Sequence, residues 1–421
     1  MRIIYDLVLH IAQFILCRVV SRFASPNSKL GKFIIGQKGL WTDVEASFSG
    51  PRDDVRPILW IHASSYGEYN IARPLIQLLR ARGGYSFVLT FFSPTGIEQL
   101  QNHHEEVDYL FPMALDTRSN ARRFLNAIHP EKAIFMVSEY WPNHLLELKQ
   151  QQIPTFLVSA HITGHEPFFH KYGGLFRKAL KAFTHIFVLD SASREHLASI
   201  GMENVTVTGD PLFDHVMARS ATDYYNATVE HFVAQGDVFI AGSIHNDQDL
   251  ELVAALANRH PDTHFLIVPH EINAGILSAI KEKFAGKTCC YSECTAQTDF
   301  SNVQNLMIDF IGELTYLYRY ARWAYIGGGF TPYLHSVIEA TAYGLPVAFG
   351  PRIERKPVAQ DLMVSGLGRS VSSVQELDDW FKGLQHNESL LGQLKSQAIS
   401  FMQRRQDSTD MIVKMILENE G

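Results

Sequence analysis

Short apolar runs recur along this chain with room for one helix between each run and the next, and this alternation limits the possible fold more than any other feature. Residues 58–61, 87–91, 109–111, 133–137, 155–158, 186–189 and 205–208 read as strands buried on both faces. A more polar stretch, about 218–235, interrupts the pattern. A second series follows at 238–241, 264–268, 306–308, 323–326 and 347–349. Repeated strand, helix, strand units of this length imply right-handed crossovers and parallel sheets covered on both faces. A chain of 421 residues is too long for one ordinary core. The expected fold class is therefore α/β, with two Rossmann-like domains facing each other across a cleft.

The N-terminus stands apart from this pattern. Between residues 3 and 20, Asp6, His10, Gln13 and Cys17 fall at spacings of four, three and four, which places the less apolar groups on one helical face. Ile4, Leu7, Val8, Ile11, Ile15 and Val19 occupy the rest. Such a helix can lie in a membrane interface at lower cost than carrying Asp6 and Arg18 through hydrocarbon. The alternatives are a spanning helix and a buried amphipathic helix of a soluble protein. Polar interruptions and the lack of a small-x-small cleavage site argue against a signal peptide. The overall charge is −7, which disfavours a nucleic-acid binder. Residues 1–50 nevertheless hold Arg2, Arg18, Arg22, Lys29, Lys32 and Lys38 against Asp6, Asp43 and Glu45, a local basic excess suited to anionic lipid. The four cysteines suggest neither a disulfide framework nor a zinc site.

The chemistry-bearing residues follow the strands. Glu68, in His62-Ala63-Ser64-Ser65-Tyr66-Gly67-Glu68, stands where an apolar strand turns into a helix, at the sheet edge where ligands bind. A carboxylate there can act as a general base, its pKa raised by desolvation, or can simply complement the helix dipole. Glu139 follows another strand and can orient Glu68 or a substrate hydroxyl. In the second half, Gly327-Gly328-Gly329 reads as a turn before a helix over 332–343, whose backbone can approach a phosphate. On that helix a spacing of four sets His335 and Glu339 on one face. Gly242-Ser243 and Pro269-His270-Glu271 also follow strands and point to the same edge.

These segments, together with Ser138-Glu139-Tyr140-Trp141-Pro142-Asn143, Ser159-Ala160-His161, Gly209-Asp210-Pro211-Leu212-Phe213-Asp214, Gly312-Glu313-Leu314, His335-Ser336-Val337-Ile338-Glu339 and Gly344-Leu345-Pro346-Val347-Ala348-Phe349-Gly350-Pro351, resemble the 3-deoxy-D-manno-octulosonic acid (Kdo) transferases. The resemblance implies a GT-B type glycosyltransferase of lipopolysaccharide synthesis that moves Kdo from CMP-Kdo to a lipid A precursor with inversion, at the cytoplasmic face of the inner membrane. The expected catalytic residues are Glu68 and Glu139. Donor contacts are expected from Gly242, Ser243, His270, Gly312, Glu313, Gly328, Gly329, His335, Ser336 and Glu339, with Glu339 on the ribose hydroxyls. Ser65, Tyr66 and Gly67, with Lys32 and Lys38, are expected at the acceptor. Relatives carry an arginine near the position of His270, and none adjoins it here. No Asp-x-Asp cluster suited to a divalent metal stands out, so no metal or other cofactor is expected. The expected divisions are a membrane-associated helix over 1–25, an acceptor domain over 26–217, a CMP-sugar domain over 218–405, and a terminal helix over 406–421 that packs back on the first domain. Two rivals are a GT-B enzyme using a UDP-sugar and a noncatalytic sugar- or nucleotide-binding membrane protein.

Overall fold

A computed structural model of the protein describes residues 1–50, 54–82, 84–101, 106–295, 297–354 and 356–418. Residues 419–421 of the expected terminal segment lie outside that set. The contacts divide the chain into one unit of Met1–His215 with Arg405–Gly421 and another of Val216–Arg404.

The first unit opens with helices α1 (Arg2–Arg18) and α2 (Lys29–Phe48). Its sheet contains β1 (Ile58–Ala63), β2 (Ser86–Phe91), β3 (Tyr109–Pro112), β4 (Pro130–Met136), β5 (Thr155–Ala160), β6 (His185–Val188) and β7 (Val205–Val207). All are parallel, in the order β3-β2-β1-β4-β5-β6-β7. Every residue of β1, β2 and β5 is buried, as helices on both faces require. One face packs Trp60, Phe124, Phe135 and Leu157 under α2 and its neighbours. The other packs Leu59, Phe87 and Phe156 under helix α3 (Tyr66–Arg82).

The chain returns to this second face at its end. Helix Ser408–Glu418 lies on α3 and buries Ile412, Val413 and Ile416 completely. Asp214 holds the return, because its carboxylate accepts from the backbone N–H of Asp407 at 2.8 Å and of Thr409 at 2.7 Å. These are free donors at a helix start, which a carboxylate suits.

The second unit repeats the plan with β8 (Val238–Ile244), β9 (His264–Pro269), β10 (Thr288–Cys290), β11 (Asn305–Met307), β12 (Trp323–Ile326), β13 (Val347–Phe349) and β14 (Gly368–Ser370). Their order is β10-β11-β9-β8-β12-β13-β14, all parallel. The sequence pattern does not contain β10 or β14. Both are three-residue edge strands without an apolar run, and they exist because an already formed strand offers its backbone groups. The polar interruption near 218–235 holds two helices, Pro211–Ala221 and Ala227–Val233.

Helix α1 contains no buried residue, so it is not a core helix. Its polar stripe faces the protein. Asp6 accepts from the backbone N–H of Arg118 at 2.6 Å and from Asn143 Nδ2 at 3.1 Å. His10 Nε2 lies 3.2 Å from Ser119 Oγ, and Asn120 Nδ2 donates to Gln13 Oε1 at 3.2 Å. Arg2 donates to Glu147, a buried carboxylate that Arg118 and Arg122 also contact. The opposite face, with Ile3, Ile4, Leu7, Val8 and Ile11, stands exposed.

Ile412→Ala tests whether the terminal helix belongs to the first unit. Truncating a fully buried isoleucine costs about 2–5 kcal/mol. In a chemical denaturation that resolves two transitions, the first unit's midpoint should fall while the second unit's stays fixed.

Candidate active site

In the first unit the site forms where β1 and β4 end. The turn after β1 carries Ser64 and Ser65, and α3 starts at Tyr66, so Glu68 sits in its first turn. The Ser64 backbone N–H donates to Glu68 Oε2 at 2.6 Å, and the Glu68 N–H donates to Ser65 Oγ at 3.4 Å. The carboxylate thus folds back over the strand end instead of reaching outward. Burial, reinforced by the Glu139 charge, pushes its pKa up to about 8, against the lowering effect of the Ser64 hydrogen bond.

Glu139 follows β4 and has the opposite balance. Burial pushes its carboxyl up, but hydrogen bonds from His62, Trp141 and Ser64 outweigh it and leave the group below the usual glutamate range. His62 Nε2 lies 3.1 Å from Glu139 Oε2, and Trp141 Nε1 donates to the same oxygen. The other ring nitrogen of His62 lies 2.9 Å from Thr90 Oγ1, and Trp60 Nε1 donates to that hydroxyl. Two neighbouring carboxyls thus differ in protonation at neutral pH, the arrangement that lets one take up a proton while the other stays charged.

Sequence reasoning did not assign His62 a role. A histidine in a strand whose every residue is buried was the available signal, since a buried polar ring needs partners on both nitrogens. Ser65, Tyr66 and Gly67 share the Glu68 turn as expected. Lys32 and Lys38 lie on α2. Lys32 is paired with Glu98 at 2.7 Å, and Lys38 lines a separate cavity of about 550 Å³ with Cys17, Arg18, Ser21 and Arg22.

In the second unit the loops after β8, β9 and β12 converge. The fully buried carboxylate of Asp249 ties the loops after β8 and β12 together. It accepts from Tyr325 Oη at 2.7 Å, the Gly328 N–H at 2.8 Å, the His245 N–H at 3.2 Å and Asn246 Nδ2 at 3.0 Å. The expected helix over 332–343 is confined to Ile338–Ala342. Residues before it loop back so that the His335 N–H donates to Gly327 O at 3.1 Å. His335 and Glu339 therefore do not share a helical face.

The glycine turn also has a different reason from the expected phosphate approach. A Cβ on Gly328 would lie 2.3 Å from Tyr333 O, and one on Gly329 2.5 Å from Gly350 N. Gly328, at φ +88°, already spends its N–H on Asp249. These glycines admit the protein's own backbone. Gly242 is similar, because Tyr318 Oη occupies the space beside it, and β8 continues through Ser243 instead of turning there.

Glu339 accepts from Thr315 Oγ1 at 2.7 Å. Burial raises its pKa, partly offset by Thr315, the Arg219 charge and Ser336. The Arg219 guanidinium stacks on Tyr316, 4.7 Å from the ring centroid, and is a cation near Glu339 that the sequence did not single out. Glu313 accepts from Tyr224 Oη, and Gly312 beside it is exposed at φ +107°. His270 packs against His335 with ring centroids 4.3 Å apart, and His245 is the third ring of the group. His245, His270 and His335, which the sequence did not gather into one group, bring ring nitrogens within 4.8 Å of one another.

Residues 38–215 match the family model described as 3-deoxy-D-manno-octulosonic-acid transferase (kdotransferase). Relatives named 3-deoxy-D-manno-octulosonic acid transferase include that of Haemophilus influenzae, 27% identical over 69% of this chain and 70% of its own. That of Aquifex aeolicus is 26% identical over 76% and 83%, and that of Bordetella pertussis 28% identical over 76% and 78%. Among solved structures, UDP-GlcNAc 2-epimerase from Neisseria meningitidis superposes with a TM-score of 0.62 at 16% identity, over 86% of this chain and all of that one. MurG from Acinetobacter baumannii gives 0.53 at 13% identity, over 86% and 99%. At such identities these structures speak for the fold alone.

The raised pKa of Glu68 has a stability consequence with a definite sign. Unfolded, the carboxyl titrates near its ordinary 4.5; folded, near 8. Between those values the folded state binds more protons, so this group lowers stability as pH rises through that window. Glu68→Gln should therefore gain stability relative to wild type from pH 5 to pH 8. Thermal melts across that range check it, and a constant difference would place the carboxylate in water.

Proposed function

We propose that the chain is a member of the 3-deoxy-D-manno-octulosonic acid transferase family of glycosyltransferases and moves Kdo from CMP-Kdo to a lipid A precursor of the lipid IVA type, with Glu68 as general base. The observation that carries this reading is the pair of unlike carboxyls at the ends of β1 and β4. Glu68 has a pKa of about 8, near enough to neutrality to accept a proton from a sugar hydroxyl as attack develops. Glu139, held charged by His62 and Trp141, keeps it there and can hold an acceptor hydroxyl. Ser65, Tyr66 and Gly67 border the same turn.

In this reading the second unit holds the donor. Glu339 and Glu313, two hydroxyl-accepting carboxylates, together with the Arg219 cation make a set suited to a ribose and its phosphate. His270, His335 and Ser336 would approach the donor phosphate, whereas Gly242, Gly328 and Gly329 are taken up by the protein's own contacts. The acceptor oxygen attacks the anomeric carbon, Glu68 takes its proton, and CMP leaves from the opposite face with inversion. The transition state is oxocarbenium-like, so placement of the nucleophile and of charge near the leaving phosphate outweighs base strength. This transfer requires no metal.

Helix α1 suits a lipid acceptor. Its polar stripe is already spent on the protein, which leaves an unbroken apolar face and nearby Arg18, Arg22 and Lys38 for an anionic membrane surface. A spanning helix would have to give up those contacts. Attachment at the cytoplasmic face of an inner membrane follows from this reading.

Product mass spectrometry with purified enzyme, CMP-Kdo, UDP-sugars and a tetraacylated lipid A precursor tests the assignment. Glu68→Gln should bind CMP normally and lose about 10²–10⁴ in turnover. The wild-type kcat/KM should rise with pH along a limb near 8, because only the carboxylate accepts the proton. Glu139→Gln should move that limb to lower pH by removing a like charge.

The membrane reading has its own check. Leu7→Asp with Ile11→Asp keeps every polar contact of α1, so the protein should fold and turn over detergent-dispersed acceptor. Vesicle flotation should show its membrane binding reduced.

A further inference from the structure

We infer that His245, His270 and His335 form a binding site for a divalent transition metal ion of the zinc type, with an open coordination position for an anionic oxygen. Three strands that neighbour one another in the sheet order β9-β8-β12 each end just before one of these residues or the turn that carries it. Their ring nitrogens all lie within 4.8 Å of one another. Ring centroids are 4.9 Å apart for His245 and His270, 5.4 Å for His245 and His335, and 4.3 Å for His270 and His335.

Zinc–imidazole bonds of about 2.0–2.1 Å in a tetrahedron place the nitrogens roughly 3.3 Å apart. A shift of about an ångström in exposed side chains closes that gap, and His245 and His270 are exposed. The backbones need not move, because each is pinned. The His245 N–H donates to Asp249 at 3.2 Å, the His270 N–H to Ile244 O at 2.9 Å, and the His335 N–H to Gly327 O at 3.1 Å. Such anchoring of the main chain is what a preorganised ligand set requires.

A second observation points to a ligand. His335 Nε2 is buried and has no hydrogen-bond partner among the described residues. A buried imidazole nitrogen left unmet carries a desolvation penalty that coordination would remove. Three neutral imidazoles also match a borderline ion, and three protein ligands leave the fourth position open. Glu271 and Lys356 flank the group with opposite charges, so neither sign dominates its surroundings.

The open position rests on the donor reading given above, since the phosphate or carboxylate of a sugar nucleotide is the anion this edge would meet. The ion is not needed for the transfer itself. Its occupancy would change how tightly an anionic donor is held.

Cobalt(II) titration of chelator-treated full-length protein tests the site without using activity. One equivalent should give the visible absorption of a four- or five-coordinate ion, without the near-ultraviolet thiolate band that Cys289, Cys290 or Cys294 would add. His245→Ala, His270→Ala and His335→Ala should each weaken binding at least about tenfold, the least that disturbing a metal's supporting shell costs. No uptake by folded wild type, or uptake unchanged in all three variants, overturns the site. Adding CMP to the cobalt form should alter the visible spectrum; an unaltered spectrum at saturating CMP removes the open position. Calorimetry of CMP on metal-free protein reads the donor pocket separately, so failure of that pocket and failure of the metal site give different results.

Discussion

A parallel sheet covered by helices on both faces leaves one place where polar groups can gather without cost, the edge at which its strands end. Backbone pairing is complete within the layer and both faces are apolar, so polar side chains collect in the turns that follow the strands. Both units of this chain obey the constraint. In the first, it confines Glu68 and Glu139 to one rim, with His62 as the last polar group inside the layer. In the second, it directs the loops after β8 and β12 to a common carboxylate, Asp249. Losing that carboxylate would strand the N–H of Gly328 and the hydroxyl of Tyr325 in a dry interior.

The sequence carries the sheets more legibly than the loops. Central strands appear as apolar runs because burial on both faces imposes that composition, while β10 and β14 leave no trace, being short segments recruited by a neighbour. Glu68 drew notice because it stands just past an apolar run, although a helix-dipole role was equally open there. Its raised pKa was foreseeable in direction, but the size of the effect depends on burial in the folded chain and then on Glu139, more than sixty residues away. The segment from Gly327 to Ile338 was the least legible. Its helical spacing is real in the sequence and absent from the backbone, because tertiary hydrogen bonds to Gly327 and Asp249 set its path.

The N-terminal helix shows a pattern whose orientation the sequence left open. A stripe of Asp6, His10 and Gln13 can face water or protein with equal periodicity. The choice is made by partners over a hundred residues later, at the start of the helix Arg118–Ile128. With the stripe engaged, the apolar side has only the outside to face, which is an unstable condition in water and a stable one against acyl chains.

The return of the chain to α3 sets an order on biosynthesis. Helix Ser408–Glu418 emerges from the ribosome after the whole of Val216–Arg404, yet Ile412, Val413 and Ile416 complete a core begun at residue 58. While the second unit is being translated, the nascent first unit must wait with an uncovered apolar strip along α3, at the stage when such surfaces recruit chaperones or aggregate. A helix made after the whole second unit thus closes the core of the first.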